Sequence, residues 1–573
     1  MLPVVLCVIR SLACTGLSVA CAVPVLALAQ VPPDAGRVQR QLEQTLTPPP
    51  TQTPAPAESQ VPIDRTGPRI TLKRVFITGT TLLPPDELAR HLDSYIGQSL
   101  SMGELQAAAQ TLVGYYRERG WFVRVLLPEQ DVSKGTLHIQ IVEGRFGSMH
   151  LQPEGKTRAK RSYVARVVGR QLQAGEPYAL AELERGLLLA NDLPGIGADG
   201  VLQAGSTPGS SDLALSVSDR ALFSGQLGAS NFGSRFTGRN QGSLRLAADN
   251  PSGYGDQLSL TGLIAEQLDY QSLGYSLPLG YDGLRISVGY SQLHYRLGEQ
   301  FADLDAKGDA RTATAALAYP LVRSTARNVW LGLTYVARHY DDESLGMKLH
   351  DRRSDAYTLT LHGDSRDTWG GGGITRWRTE LTGGRISLRL DDDRAQDAAG
   401  PDIAGGFTRI NAELSRDQVL APAYYLRARF VGQWAANNLD SAQQFSLGGP
   451  YDVRGYPMNE GSGDGGALLQ LELHTLLPRL GLAGLDGYLF FDSGVVRQHQ
   501  QTWASWDTQG TGRNVAALYA TGAGIRWNHP KGLALDAAVA VPLGHDLADA
   551  NRERNQDGSE RGLRLWLTAS QSF

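Results

Sequence analysis

Two charged residues in this chain sit where their surroundings demand a partner. Arg454 lies in Gly448-Gly449-Pro450-Tyr451-Asp452-Val453-Arg454-Gly455-Tyr456, among turn-forming residues in a long glycine-rich interruption of otherwise alternating strands. Further on, Phe490-Phe491-Asp492-Ser493-Gly494 places a carboxylate in the middle of an apolar strand. An unpaired charge there is costly unless a cation meets it, and Arg454 is the candidate. If Asp492 faces inward, a guanidinium can grip it with forked, charge-assisted hydrogen bonds that a lysine reproduces poorly. On the residues alone, the plainer reading is a solvated loop charge and an inward carboxylate without consequence.

Other sequence signals of chemistry fail on spacing. Gly155-Lys156-Thr157 suggests a phosphate loop, but the position where that motif needs its first glycine is His150. Residues 551–562, with Asn555, Asp557, Gly558 and Glu560, are rich in oxygen ligands, yet they suit a hairpin turn and miss the calcium-loop spacing. The 11 histidines form no H-E-x-x-H pair, and no G-x-S-x-G elbow is present. The sequence therefore assigns no catalytic residue, no cofactor-binding residue and no metal ligand, and Arg454 with Asp492 reads as structural chemistry.

The elements that must position this pair follow from composition and pattern. With 573 residues, 66 glycines and 8% aromatics, the chain suits many strands and turns spread over several domains. A net charge of -4 and a pI near 6.3 argue against nucleic acid, whose binders present a basic face. Cys7, Cys14 and Cys21 are the three cysteines, so a chain cleaved after them carries no thiol. Arg10, the small apolar stretch 11–28 and Ala27-Leu28-Ala29 before Gln30 predict a signal peptide over 1–29, cut between Ala29 and Gln30. Beyond it no apolar run approaches the ~20 residues of a membrane helix, so a membrane-resident form must be a closed barrel.

Residues 30–65 predict a short helix, with Val38, Leu42 and Leu46 on one face over 35–46, followed by a proline-rich linker. Residues 66–145 then read strand, helix, helix, strand, strand. The strand is expected over 70–78, and Ser101 with Glu104 marks a capping box at the start of the second helix. The same order repeats over 146–219, with helices expected at 162–172 and 180–192. From 220 to 573 helical periodicity gives way to glycine-punctuated alternation, which at about 22 residues per strand and turn predicts about 16 antiparallel strands. In that count the interval 436–465 falls between the eleventh and twelfth strands, hence on the outer side, and is long for a passive turn.

The V-R-G-Y of Val453, Arg454, Gly455 and Tyr456, followed by the F-x-D-x-G around Phe491, Asp492 and Gly494, resembles the two-partner secretion transporters of the haemolysin and filamentous haemagglutinin export type. The tandem α+β units resemble POTRA domains, with Leu137-His138-Ile139-Gln140-Ile141-Val142-Glu143-Gly144 as the ending of the first. The resemblance implies a transmembrane β-barrel preceded by two POTRA domains in the periplasm. The helix would plug the lumen, and the 436–465 loop would fold inward so that Arg454 meets Asp492. It implies export of a large secreted exoprotein by a monomer bathed in outer-membrane lipid, with Phe573 as the targeting residue read by the barrel-assembly machinery. A barrel insertase of the same superfamily, a diffusion porin and an enzyme are the alternatives. Two POTRA units disfavour the first, the periplasmic domains the second, and the missing site the third.

Overall fold

The computed structural model describes residues 32–46 and 69–573, apart from 122, 133, 154, 208, 478–483, 508–511 and 545–553. The expected signal peptide with Ala29 and Gln30, and most of the linker, lie outside the described residues. Among those described, no helix is long and apolar enough to cross a membrane.

The first α+β unit runs β1 (Arg69–Thr71), β2 (Arg74–Thr78), α2 (Pro85–His91), β3 (Ser99–Ser101), α3 (Met102–Glu118), β4 (Val123–Leu126) and β5 (Thr136–Glu143), with α1 (Ala35–Leu46) preceding it. The single strand expected over 70–78 is two. β1 pairs with β3, while β2 pairs in parallel with β5. The apolar positions foretell the break, since they shift from even numbers (Ile70, Leu72) to odd ones (Val75, Ile77), and a strand cannot keep one face across such a shift. The capping box forms as expected: Ser101 Oγ accepts from Glu104 N–H at 3.3 Å and Glu104 Oε2 from Ser101 N–H at 2.8 Å. Glu143 closes the unit, taking the N–H groups of Thr81 and Leu82 at 2.7 and 2.8 Å.

The second unit comprises β6 (Arg145–Leu151), α4 (Arg161–Val168), α5 (Leu180–Asn191), β7 (Ile196–Ala204) and β8 (Ser210–Asp219), with sheet order β6-β8-β7. α4 is shorter than expected: it ends at Val168, Gly169 (φ -84°, ψ 6°) leaves helical geometry, and the Arg170 N–H bonds only three residues back to Val167.

A closed antiparallel barrel of sixteen strands follows. It contains β9 (Phe223–Ser230), β10 (Gln241–Asp249), β11 (Gln257–Ala265), β12 (Leu268–Leu279), β13 (Leu284–Arg296), β14 (Lys307–Arg323), β15 (Arg327–Ser344), β16 (Met347–Asp367), β17 (Gly373–Leu388), β18 (Gly405–Ala421) and β19 (Tyr424–Ala435). After the short pair β20 (Phe445–Leu447) and β21 (Gly461–Gly463) it continues with β22 (Gly465–Leu476), β23 (Leu485–Arg497), β24 (Val515–Asn528), β25 (Leu533–Pro542) and β26 (Arg564–Ser572). β14 to β16 extend well past the alternating apolar segments visible in the sequence, because their outer ends are polar on both faces. The barrel closes where β26 meets β9 over five residue pairs, Thr568↔Ser230 to Ser572↔Gln226.

The second α+β unit docks on turns at one end of the barrel. Arg323 grips Asp192 with two bonds of 2.8 Å, Thr325 N–H donates to Glu184 at 2.7 Å, and Arg158 Nε donates to the Asn250 carbonyl at 3.0 Å. That end is periplasmic, and the β19–β22 connection lies at the other.

Candidate functional site in the lumen

Two elements fill the lumen. α1 packs Ala35, Val38 and Leu42 against Leu263, Leu293, Tyr295 and Tyr340 of the wall. Its polar side is also largely buried, and Asp34, Arg40, Gln41, Glu43 and Gln44 each meet at least one partner there, while Arg37 Nε, Arg40 Nε and Gln44 Oε1 have none among the described residues. Asp34, just before the helix, meets Arg352 at 3.0 Å; Arg352 also reaches Asp342 at 3.2 Å and Asp440 at 2.6 Å. Arg40 donates to the Gln444 carbonyl at 2.6 Å and to Asn459 at 3.1 Å, and Glu43 pairs with Arg338 at 3.0 Å. Arg40, which lies off the apolar face of the helix, ties it to the 436–464 loop.

That loop folds inward as a strap. β20 pairs with β21, and Gly448 (φ +90°) and Gly449 (φ +114°) open the 448–460 connection between them. A Cβ on Gly448 would stand 2.2 Å from the Pro457 carbonyl oxygen, so the turn needs glycine for space as well as for angle. Gly455 lies flat on the wall, its would-be Cβ 2.9 Å from Ala520 and Pro542. Val453 and Tyr456 on either side are buried with Leu447, Leu468 and Leu518.

Arg454 ends up 4% exposed over a fully buried Asp492. Its Nε donates to Oδ2 at 2.9 Å and Nη2 to Oδ1 at 2.6 Å, while its own backbone N–H adds a third bond to Oδ2 at 3.0 Å. Nη1 reaches Glu472 at 2.6 Å, and the guanidinium carbon lies 3.6 Å from the centre of the Phe490 ring. The Arg454 carbonyl accepts from the Trp566 indole at 2.8 Å, which ties the strap to the last strand. Burial works against the charge, but Asp492 and then Glu472 outweigh it and hold the guanidinium above its ordinary range. The arrangement is a bidentate clamp with a fixed fork, not a proton donor or nucleophile.

One residue assigned to the pair does not join it. Phe491 faces outward and is 39% exposed, because side chains alternate along β23. Phe490, Asp492 and Gly494 share the inner face. A Cβ on Gly494 would lie 2.6 Å from Leu447, so glycine there lets the strap reach the wall. The sequence reading also missed Gln470, Glu472 and His474 of β22. Glu472 bridges Arg454 to His474, which in turn meets Asp486 at 2.9 Å between the rings of Tyr425 and Tyr488. The signal was present in Leu469-Gln470-Leu471-Glu472-Leu473-His474, where every polar residue falls on the lumen side.

Phe573 lies at the seam, exchanging two backbone hydrogen bonds with Gly225 at 2.9 and 3.0 Å, and its ring stands over that glycine. Among the described residues, the group best arranged to hold a metal is His339, Asp341 and Asp351, on the outer surface away from the strap. The Lys348 ammonium already stands 2.6 Å from Asp341, where a cation would go.

A sixteen-stranded outer-membrane barrel with two periplasmic α+β units, a lumen helix and an inward strap defines the class: an outer-membrane protein transporter. The chain belongs to the family described as haemolysin secretion/activation protein ShlB/FhaC/HecB, whose model matches residues 209–526, and residues 70–144 match the ShlB-type POTRA domain. It is 26% identical to the heme/hemopexin transporter protein HuxB of Haemophilus influenzae, covering 96% of both chains. It is 25% identical to the outer membrane transporter CdiB of Escherichia coli over 83% of each. Among solved structures, CdiB from Escherichia coli superposes with a TM-score of 0.68 at 20% identity, covering 96% of this chain and all of that one. BamA from Haemophilus ducreyi lacking POTRA domains 1–3 shares the fold with a TM-score of 0.52 at 14% identity, covering 88% of this chain. The protein is thus a two-partner secretion transporter of the outer membrane, with its POTRA domains in the periplasm.

Proposed function

We propose that the strap is the permanent frame of the export channel and α1 its removable plug, and that the cargo is one large secreted exoprotein of haemolysin or adhesin type. The observation that carries this is the shared lumen. α1 and the strap touch each other through Arg40, Asn459 and Gln44, so the pore is filled by two elements, one of which enters from outside the barrel sequence. The units at 66–145 and 146–219 receive the unfolded cargo on their sheet edges, an extended chain adding as a strand. Cargo folding outside gives direction, since no nucleotide or catalytic group is invoked: the protein acts as a conduit and not as an enzyme. Residues 1–29 direct secretion with cleavage at Ala29, Phe573 addresses the chain to the barrel-assembly machinery, and the transporter works as a monomer.

The test is Arg454→Ala in cells that make the exoprotein partner. A folded, heat-modifiable barrel that no longer exports supports the reading; normal export by that variant removes it.

A further inference from the structure

Register converts the outer wall of β13 to β17 into rows of side chains. Tyr340 and Arg352 face α1, which sets the parity: odd-numbered residues of β14 to β17 face out. One outward row is apolar, Leu317, Leu333, Leu359 and Leu381 being consecutive cross-strand partners. The next row toward the outer rim holds Tyr335 and Tyr357, whose ring centres lie 4.9 Å apart. An aromatic row above an apolar band marks the membrane interface.

Two rows higher, Arg311, His339 and Arg353 are consecutive partners on β14, β15 and β16. Four residues separate Arg353 from Tyr357. At about 3.3 Å per residue on a strand tilted by about 40°, that lifts the arginine roughly 10 Å above the ring's backbone, to the level of lipid headgroups. The acidic row above is already engaged by side chains of the protein. His294 meets Asp309 at 2.9 Å, Lys348 meets Asp341 at 2.6 Å, and His339 meets Asp351 at 3.0 Å. Arg311 and Arg353 are exposed, and among the described residues neither makes a hydrogen bond or ion pair. Arg385, opposite Asp355 one row lower on β17, adds a third guanidinium nearby.

We infer that this row binds the phosphates of a phosphorylated glycolipid in the outer leaflet, the lipid A part of lipopolysaccharide. Two unpartnered guanidinium forks stand two strands, or about 10 Å, apart at headgroup height, and the planar fork is the group best shaped for phosphate oxygens. The acyl chains of that lipid would lie along the leucine row beneath. The site is on the wall of the longest strands, distant from the β26–β9 closure, so lipid bound there braces the part of the barrel that holds the N-terminal end of α1.

The experiment is native mass spectrometry of the purified, heat-modifiable protein titrated with bisphosphorylated lipid A, dephosphorylated lipid A and inorganic phosphate. Arg311→Ser with Arg353→Ser is expected to weaken bisphosphorylated lipid A at least tenfold, and Arg311→Lys with Arg353→Lys to lose less. Dephosphorylated lipid A is expected to bind both forms equally weakly. Undiminished binding by the serine variant overturns the inference. So does equal binding of dephosphorylated lipid, which would mean acyl contact alone, or displacement by equimolar inorganic phosphate, which would mean a free-anion site.

Discussion

Whereas the strap is locked by a 4% exposed arginine on a fully buried carboxylate and is continuous with the wall, α1 is held by one largely buried ion pair, Asp34–Arg352, and otherwise by hydrogen bonds and the Glu43–Arg338 pair. The strap carries its own apolar core, with Val453 and Tyr456 packed on wall residues, and both its ends continue into barrel strands. The helix buries three apolar side chains and otherwise depends on Asp34, Arg40, Glu43 and Gln44 reaching polar partners. Most contacts of the helix can be exchanged for water at little cost, and only Asp34–Arg352 shares the character of the strap's pair, where parting Arg454 from Asp492 strands two buried charges. The wall therefore distinguishes a fixture from a stopper by chemistry.

The sharpest way to break that distinction is Arg454→Ala, which leaves Asp492 and Glu472 without their cation. We expect a loss of about 3–5 kcal/mol in strap anchoring and a collapse of export, read by exoprotein in the medium. Arg454→Lys restores the charge without the fork and is expected to recover export only in part. Next comes Arg352→Ala, which leaves Asp34, Asp342 and Asp440 facing one another. The expected result is a helix that leaves the lumen, read as a rise in single-channel conductance with an unchanged heat-modifiable barrel. Glu43→Ala removes a half-exposed carboxylate from the largely buried Arg338 and is expected to loosen the helix less than Arg352→Ala, visible as a small increase in opening frequency.

The smallest effect lies outside the lumen. Hydrogen bonds from Thr81 and Leu82 oppose the effect of burial on Glu143 and hold its carboxyl below the usual carboxylate range. A depressed folded-state value stabilises above the unfolded carboxyl's value near 4.3 and is lost as pH falls through the folded one. The first POTRA unit should thus lose stability only below about pH 4, and Glu143→Gln should remove that dependence without changing conductance.

Much of this architecture is written in local pattern. The sixteen alternating strands, the capping box at Ser101 and the helix over 35–46 follow from periods and caps that neighbours in sequence determine. The strap pair was legible as two charges in costly places, although its functional meaning came from resemblance. What the sequence concealed depended on which face a residue takes. Phe491 was grouped with Asp492 although alternation turns it to lipid, and Glu472 and His474 look like an ordinary polar stripe until β22 is placed beside the strap. The burial of Arg40 likewise has no signal in the sequence, since no local rule says that a polar helix face will be buried.

The central claim, that α1 moves while the strap stays, can be tested by pinning the two together. An ideal Cβ on Gly36 lies 3.0 Å from the Ala442 Cβ, shorter than the ~3.5–4.5 Å that a disulfide spans, so a retreat of about 0.5 Å between helix and strap brings the pair into range. In a protein made without residues 1–29, and so without Cys7, Cys14 and Cys21, Gly36→Cys with Ala442→Cys introduces the needed thiols. Planar-bilayer recording should show an oxidised protein that stays closed and a reduced one with large conductance steps. Equal steps in both states would mean that the helix does not gate the pore.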